Sequence, residues 1–185
     1  MAHPVQAASP TDVQVGGQPP DSALPAPSPG VKLKPLLVVC HCPSPNVEAL
    51  RDAVVSGARA GLEDATGLIV RSPFEAGPQD VLDCGALILG TTENFGYMNG
   101  ALKDFFERVY YPCLEHTQGL SYALFVKGGQ DGEGARSSVE RIVAGMRWRA
   151  VAEPLIMSGP YDPAWSKPCQ TLGMTVAAGL SAGLF

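Results

Sequence analysis

A short polar run, Ser44-Pro45-Asn46-Val47-Glu48, stands between an apolar stretch and an amphipathic one. Ser44 can cap a helix, and Pro45 suits the first helical position, where a missing N–H costs nothing. The N–H groups of Asn46, Val47 and Glu48 would then point outward at the positive end of the helix dipole. With the side chains of Ser44 and Asn46 as further donors, this pattern predicts a phosphate-binding site. An ordinary helix start without a ligand is the alternative.

A second polar run follows the apolar residues 86–90, which show no polar alternation and therefore indicate a strand buried on both faces of a parallel sheet. We expect a polar loop with Gly96 to come next, and then a helix capped by Asn99 and ended by Pro112. The apolar residues of this helix recur at the spacing of one face: Leu102, Phe105, Phe106 and Val109. Because ligands of such sheets bind outside the carboxyl ends of the strands, this loop is a candidate ligand site.

Cys40, His41 and Cys42 form a run that invites a metal interpretation. Adjacent residues of an extended chain point to opposite faces, so only Cys40 and Cys42 can converge. The other three cysteines are scattered, no second ligand pair follows, and we expect no metal. A helix N-terminus beside Cys42 would favour its thiolate, so a nucleophilic role is a further alternative. His41 either adds charge to a bound phosphate or lies at the surface.

The composition excludes several classes of function. The chain has 185 residues, 45% of them hydrophobic and 17% charged, which is typical of a globular domain. A net charge of -5 without a basic cluster argues against nucleic acid and anionic membrane surfaces as partners. No apolar run is long enough to span a membrane, and no secretory signal is visible. We therefore expect a cytoplasmic protein with reduced cysteines.

Residues 1–33 differ in composition from the rest of the chain. They are rich in proline and poor in charge, so they cannot bury enough surface to offset their ordering entropy. We expect a disordered proline-rich extension over 1–33 and one folded domain over 34–185. Within that domain the apolar strand candidates are residues 35–40, 67–71, 86–90, 122–127 and 151–157.

Helical patterns separate these five strand candidates, so the chain reads as repeated β-then-α units. Such an order predicts an α/β fold, a doubly wound parallel sheet with right-handed crossovers and helices on both faces. Pro154 interrupts the last candidate, and a central strand would not tolerate a proline. The fifth strand should therefore lie at an edge of the sheet.

Three loops resemble those of flavin-binding proteins. The run from Ser44 to Glu48 is similar to the flavodoxin phosphate loop, whose pattern is roughly Thr-Gly-Asn-Thr-Glu. Residues 90–103 resemble the second flavin loop of NAD(P)H-dependent FMN reductases and tryptophan-repressor-binding-type quinone reductases. Lys127-Gly128-Gly129 matches the position where such proteins contact the isoalloxazine ring from a third loop. The resemblance covers roughly residues 35–185, and it departs from the pattern at Pro45 and Val47.

The resemblance implies a flavodoxin-like five-stranded sheet of order 2-1-3-4-5, which places Pro154 on an edge strand. It also implies FMN as cofactor, NAD(P)H as co-substrate and a quinone, flavin or similar small molecule as electron acceptor, in a homodimer or homotetramer. No catalytic residue is expected, since the flavin carries the chemistry. The implied cofactor-binding residues are Cys42, Ser44, Asn46 and Val47 in the first loop, Thr92, Glu93, Asn94, Phe95 and Gly96 in the second, and Lys127, Gly128 and Gly129 in the third.

Two other functions stay open at this point. One is a flavodoxin-like one-electron carrier, although such carriers usually place an aromatic residue in the third loop and are strongly acidic. The other is a flavin-free relative that uses the fold as a binding module, which the altered first loop allows. Fold alone does not decide among these functions.

Overall fold

The computed structural model describes residue 1, residues 34–64 and residues 67–185. The expected extension over residues 1–33 thus falls, apart from residue 1, outside the described residues. The strands are β1 (Leu36–Cys40), β2 (Leu68–Arg71), β3 (Ala86–Asn94), β4 (Tyr97–Met98), β5 (Ser121–Gly128), β6 (Arg149–Ala150) and β7 (Leu155–Ser158). The helices are α1 (Pro45–Gly61), α2 (Pro78–Asp83), α3 (Gly100–Cys113), α4 (Glu133–Gly145) and α5 (Ser166–Ser181), and a 3-10 turn over Pro163–Trp165 precedes α5.

The sheet has the predicted flavodoxin-like order. β2, β1, β3 and β5 pair in parallel, and the fifth position beside β5 is shared by the short strands β6 and β7. The register sets Cys40 beside Gly90 and Thr92 beside Lys127. The carboxyl ends of β1, β3 and β5 therefore lie next to one another, as the sequence predicts.

Two apolar cores cover the two faces of the sheet. Alternate residues of the central strands point to opposite faces, so Leu37 and Val39 pack against α2, α3 and α4, whereas Leu36, Val38 and Cys40 pack against α1 and α5. This explains the unbroken apolar runs in the sequence, because both faces of these strands are buried. Helices on both faces were predicted and are confirmed.

The structure corrects three expected boundaries. The fifth strand is not continuous over 151–157, since the chain leaves the sheet between β6 and β7, where Pro154 can donate no ladder hydrogen bond. Pro112 does not end α3 but lies in its last turn, one residue before Cys113. Residues 171–184 are rich in alanine, glycine and leucine, a composition that predicts a closing helix over this range, whereas α5 begins earlier, at Ser166, directly after the 3-10 turn. Among the residues that the structure describes, no helix is long and apolar enough to cross a membrane.

Candidate functional site

The N-terminus of α1 lies directly after β1, where a phosphate site was predicted. Ser44 caps the helix, because its Oγ accepts a hydrogen bond from the N–H of Val47 (3.5 Å), and Pro45 occupies the first turn. The N–H of Glu48 donates to the carbonyl oxygen of Ser44 (3.0 Å). Of the three N–H groups expected to face a ligand, those of Val47 and Glu48 thus already donate hydrogen bonds to Ser44. The N–H of Asn46 has no partner in the described part of the chain, so it and the two polar side chains are the donors that remain.

The second polar run is not the open loop that was expected. β3 continues to Asn94, four residues beyond the predicted end, and pairs antiparallel with β4 as a hairpin. The turn consists of Phe95 and Gly96, whose φ angles are 54° and 71°. Two consecutive positive φ angles are typical of the type I′ turn that two-residue hairpins favour. The phenyl ring of Phe95 is fully exposed at the tip.

Glu93 anchors this hairpin to the start of α4. Its carboxylate accepts hydrogen bonds from the backbone N–H groups of Gly132 (3.2 Å), Gly134 (3.0 Å) and Ala135 (3.4 Å). A carboxylate at a helix N-terminus satisfies unpaired N–H groups and complements the helix dipole. The family resemblance implies that Glu93 contacts the cofactor, whereas its carboxylate binds backbone N–H groups of the protein itself.

Threonine and asparagine side chains fix the base of the hairpin. The N–H of Asn99 donates to Thr91 Oγ1 (3.1 Å), and Thr92 Oγ1 donates to Asn94 Oδ1 (2.9 Å). Asn99 caps α3, as predicted, since its Oδ1 accepts from the N–H of Leu102 (2.8 Å). Its Nδ2 is the one buried side-chain nitrogen or oxygen without a hydrogen-bond partner in 34–64 and 67–185. Such orphaned donors are rare in native structures.

The third predicted loop is tied to the sheet edge by Lys127. Its Nζ donates to the carbonyl oxygens of Gly128 (2.7 Å) and Gly159 (2.7 Å), which joins the ends of β5 and β7. Burial lowers the pKa of this ammonium group. Gly128 is buried, and Gly129 is exposed at the start of the loop. Of the three residues expected to contact the isoalloxazine ring, Gly129 is the one whose backbone is exposed to solvent.

Two aromatic residues at this edge were not predicted from the sequence. The ring of Trp165 lies 5.3 Å from Nζ of Lys127, a cation–π distance, and Tyr161 packs edge-on against it with centroids 6.0 Å apart. Both come from the segment after β7, far from Lys127 in the chain. Their position at this edge follows from the pairing of β7 with β5, so no local pattern could have identified them.

Cys40 and Cys42 converge beside the first loop, as the alternation of an extended chain predicts. Their Sγ atoms are 3.7 Å apart, and Cys42 is half-buried whereas Cys40 is buried. The hydrogen bond between the two thiols lowers the pKa of the Cys42 thiol, and Arg51 acts in the same direction, although burial opposes both. The pKa of Cys40 is raised well above its usual value by the same hydrogen bond and by burial.

An open cavity of about 340 Å³ adjoins this pair on the side of β2. It is lined by side chains of the first loop, of α1 and of the segment after β2, including His41, Arg51, Arg71 and Glu75. The ring of His41 packs edge-on against Phe74 at 5.9 Å. The thiol pair is thus reached from this cavity.

The strand order, the loops at the carboxyl edge and the two helical layers define a flavodoxin-like fold. A flavodoxin from the domain Archaea is similar over 78% of this chain and 97% of its own, with a TM-score of 0.64 and 19% identity. The flavodoxin, WrbA-like protein from Agrobacterium tumefaciens matches 80% of this chain and 97% of its own (TM-score 0.64, 14% identity). Rubredoxin oxygen:oxidoreductase from Desulfovibrio gigas matches 82% of this chain with 38% of its own (TM-score 0.67, 16% identity). The sequence matches no protein-family model and no curated protein sequence.

Proposed function

We propose that the chain binds FMN at the carboxyl ends of β1, β3 and β5. The observation that carries the proposal is that two features follow the carboxyl ends of the adjacent parallel strands β1 and β3: the N-terminus of α1 and the exposed ring of Phe95 on the β3–β4 hairpin. A helix N-terminus suits a phosphate, and an exposed aromatic ring suits a flat heterocycle. The likeness to flavodoxins supports this assignment through the fold.

The residues at this edge fit a flavin mononucleotide. The hydroxyl of Ser44, the side chain of Asn46 and the backbone N–H of Asn46 would hold the phosphate. These are fewer donors than the sequence suggested, because Val47 and Glu48 use their N–H groups inside the helix start. Phe95 and the backbone at Gly129 would orient the ring. We therefore propose that FMN is bound with moderate affinity.

We further propose that the chain is an NAD(P)H-dependent oxidoreductase for a quinone, a flavin or a similar small acceptor. Bound FMN would supply hydride acceptance and transfer. The chain's own residues would bind and orient: Glu93 holds the hairpin, and Lys127 holds the loop ends through the carbonyl oxygen of Gly159. Exposed Gly129 has no side chain to obstruct a nicotinamide. Assembly as a homodimer or homotetramer and a cytoplasmic location remain predictions.

One observation favours the alternative of a flavodoxin-like electron carrier. The absence of an aromatic residue in the third loop counted against a carrier, yet Tyr161 and Trp165 stand beside Lys127 at that same edge. They would supply the shielding aromatic surface from the segment after β7. Trp165→Ala distinguishes the two functions, because opening this surface should leave hydride transfer from NAD(P)H possible but should impair a carrier that depends on a shielded ring.

The first experiment is to identify what the purified protein binds. Heat release followed by chromatography should yield FMN, or the apoprotein should quench the fluorescence of added FMN at a ratio of one flavin per chain. FAD in place of FMN, or no quenching at all, would contradict the proposed cofactor. A colourless protein that binds neither FMN nor FAD would support the function of a flavin-free binding module.

A further inference from the structure

The Cys40–Cys42 pair has the geometry of a reactive dithiol. Residues two apart on an extended chain have Cα atoms about 6.6 Å apart, which lies within the range that disulfides span. The two Sγ atoms already stand 3.7 Å apart on the same face. Formation of a bond between them therefore needs side-chain rotation and no movement of one element against another.

The surroundings make the two sulfur atoms unequal. Cys42 is half-buried and lies two residues before the cap of α1. Its hydrogen bond with Cys40 and the charge of Arg51 lower the pKa of its thiol, which favours the thiolate relative to an ordinary cysteine. Cys40 is buried behind it and keeps its proton. This is the arrangement of an attacking thiolate with a resolving thiol beside it.

Access to Cys42 comes from the cavity of about 340 Å³ beside β2. The basic side chains at its wall are His41, Arg51 and Arg71, of which Arg51 pairs with Glu48 and Asp52 and Arg71 with Asp80. The wall also carries the carboxylates of Glu48 and Glu75. A small uncharged oxidant can enter such a cavity, and Arg51, whose charge acts on Cys42, would stabilise the oxygen anion that leaves during the reaction.

The remaining cysteines serve as internal controls. Burial raises the pKa of Cys84 to about 12 and the pKa of Cys113 and Cys169 to about 11. All three are buried, and each lies apart from the pair in the sequence. Buried thiols of this kind are inert toward oxidants.

We propose that Cys42 and Cys40 form a peroxide-reactive dithiol that a hydroperoxide converts to an intramolecular disulfide. The Cys42 thiolate attacks the hydroperoxide, so that an S–O bond forms, the O–O bond breaks and the alcohol or water leaves with a proton. The Cys40 sulfur then attacks the sulfur of the sulfenic acid, so that the S–S bond forms, the S–O bond breaks and the hydroxyl group leaves as water with the proton of Cys40. Two electrons pass from the two thiols to the peroxide, and a dithiol reductant reverses the reaction.

The test uses the full chain and hydrogen peroxide, and it requires no flavin. The protein is treated with one equivalent of peroxide, denatured and labelled with N-ethylmaleimide. We expect three of the five cysteines to take the label, and all five after dithiothreitol. The tryptic peptide that holds both residues should weigh two hydrogen atoms less than its reduced form.

Three variants sharpen the test. In Cys42→Ser, every remaining cysteine should still take the label after peroxide treatment. Cys40→Ser should yield a sulfenic acid at Cys42 that dimedone traps. The matched control Cys84→Ser should form the disulfide as the wild type does. Five labelled cysteines in the oxidised wild type, or a disulfide at other positions, would overturn the proposal. The peptide map of the wild type decides the matter even if a variant fails to fold. The test is run without added flavin, so a negative result would overturn the dithiol and leave the proposed FMN site standing.

Discussion

The carboxylate of Glu93, at the end of β3, accepts a hydrogen bond from the backbone N–H of Gly134 at the start of α4, with an Oε1···N distance of 3.0 Å. A second N–H, that of Gly132, binds the other carboxylate oxygen. The side chain of Glu93 thus connects two segments: the β3–β4 hairpin, which carries Phe95, and the loop that follows β5. The relative position of two of the three candidate flavin loops depends on this contact.

We expect Glu93→Ala to destabilise the protein by about 2 kcal/mol, because it leaves N–H groups at the start of α4 without their charged acceptor. Urea unfolding followed by circular dichroism would measure the loss. The matched control is Glu63→Ala, a substitution of an exposed glutamate after α1, which should change stability by less than about 0.5 kcal/mol. Equal effects of the two substitutions would show that Glu93 does not hold the hairpin.

Phe95 is a bulky residue in the left-handed region, with a φ angle of 54°, and such positions cost free energy. Asparagine tolerates this conformation and, before Gly96, gives the preferred type I′ turn sequence. Phe95→Asn should therefore stabilise the protein by about 0.5–1 kcal/mol and weaken FMN binding, because it removes the exposed ring. Melting temperature and flavin fluorescence quenching test the two effects separately. A variant that is more stable and binds FMN as tightly as the wild type would exclude Phe95 from the site.

Ser44 has two functions, as the cap of α1 and as a phosphate donor. Ser44→Ala should cost about 1 kcal/mol of stability and weaken FMN binding by about 1–2 kcal/mol, roughly 5- to 30-fold in dissociation constant. Ser44→Thr keeps the hydroxyl and should retain most of the stability and most of the FMN affinity. If the alanine variant loses stability but binds FMN unchanged, Ser44 is a cap alone.

Gly90 allows β3 to pass closely over its neighbours. A Cβ there would lie 2.2 Å from the ring of Phe125 and 2.6 Å from Sγ of Cys40. Gly90→Ala should therefore overpack this layer and cost about 1–3 kcal/mol. The control is Gly100→Ala at the start of α3, where a Cβ meets nothing within 4 Å and alanine is a better helix former. Similar melting temperatures for both variants would contradict the packing described for β3.

The features that sequence reasoning predicted correctly have local causes. Unbroken apolar runs identified β1 and β3, because strands covered on both faces need apolar residues at every position. Ser44 and Asn99 were identified as caps because their short polar side chains reach N–H groups three residues onward. The strand order followed from the alternation of strands and helices together with the resemblance of the three loops.

The features that sequence reasoning did not predict depend on contacts between residues that are distant in the chain. The β3–β4 hairpin turns at Phe95, which no turn pattern favours, because Glu93 and Ser138 fasten its two strands to α4. Trp165 reaches Lys127 only because β7 pairs with β5. The first loop offers fewer free N–H groups than its pattern indicates, since the same Ser44 that caps α1 also accepts two of them.

The most direct test of the proposed oxidoreductase is an anaerobic absorbance titration of the FMN-loaded protein with NADH and with NADPH. We expect at least one nucleotide to bleach the visible absorbance of the bound flavin at one equivalent per chain, and a quinone to restore it. If the flavin stays oxidised with both nucleotides while dithionite bleaches it, the proposed NAD(P)H-dependent oxidoreductase is contradicted and the electron carrier is favoured.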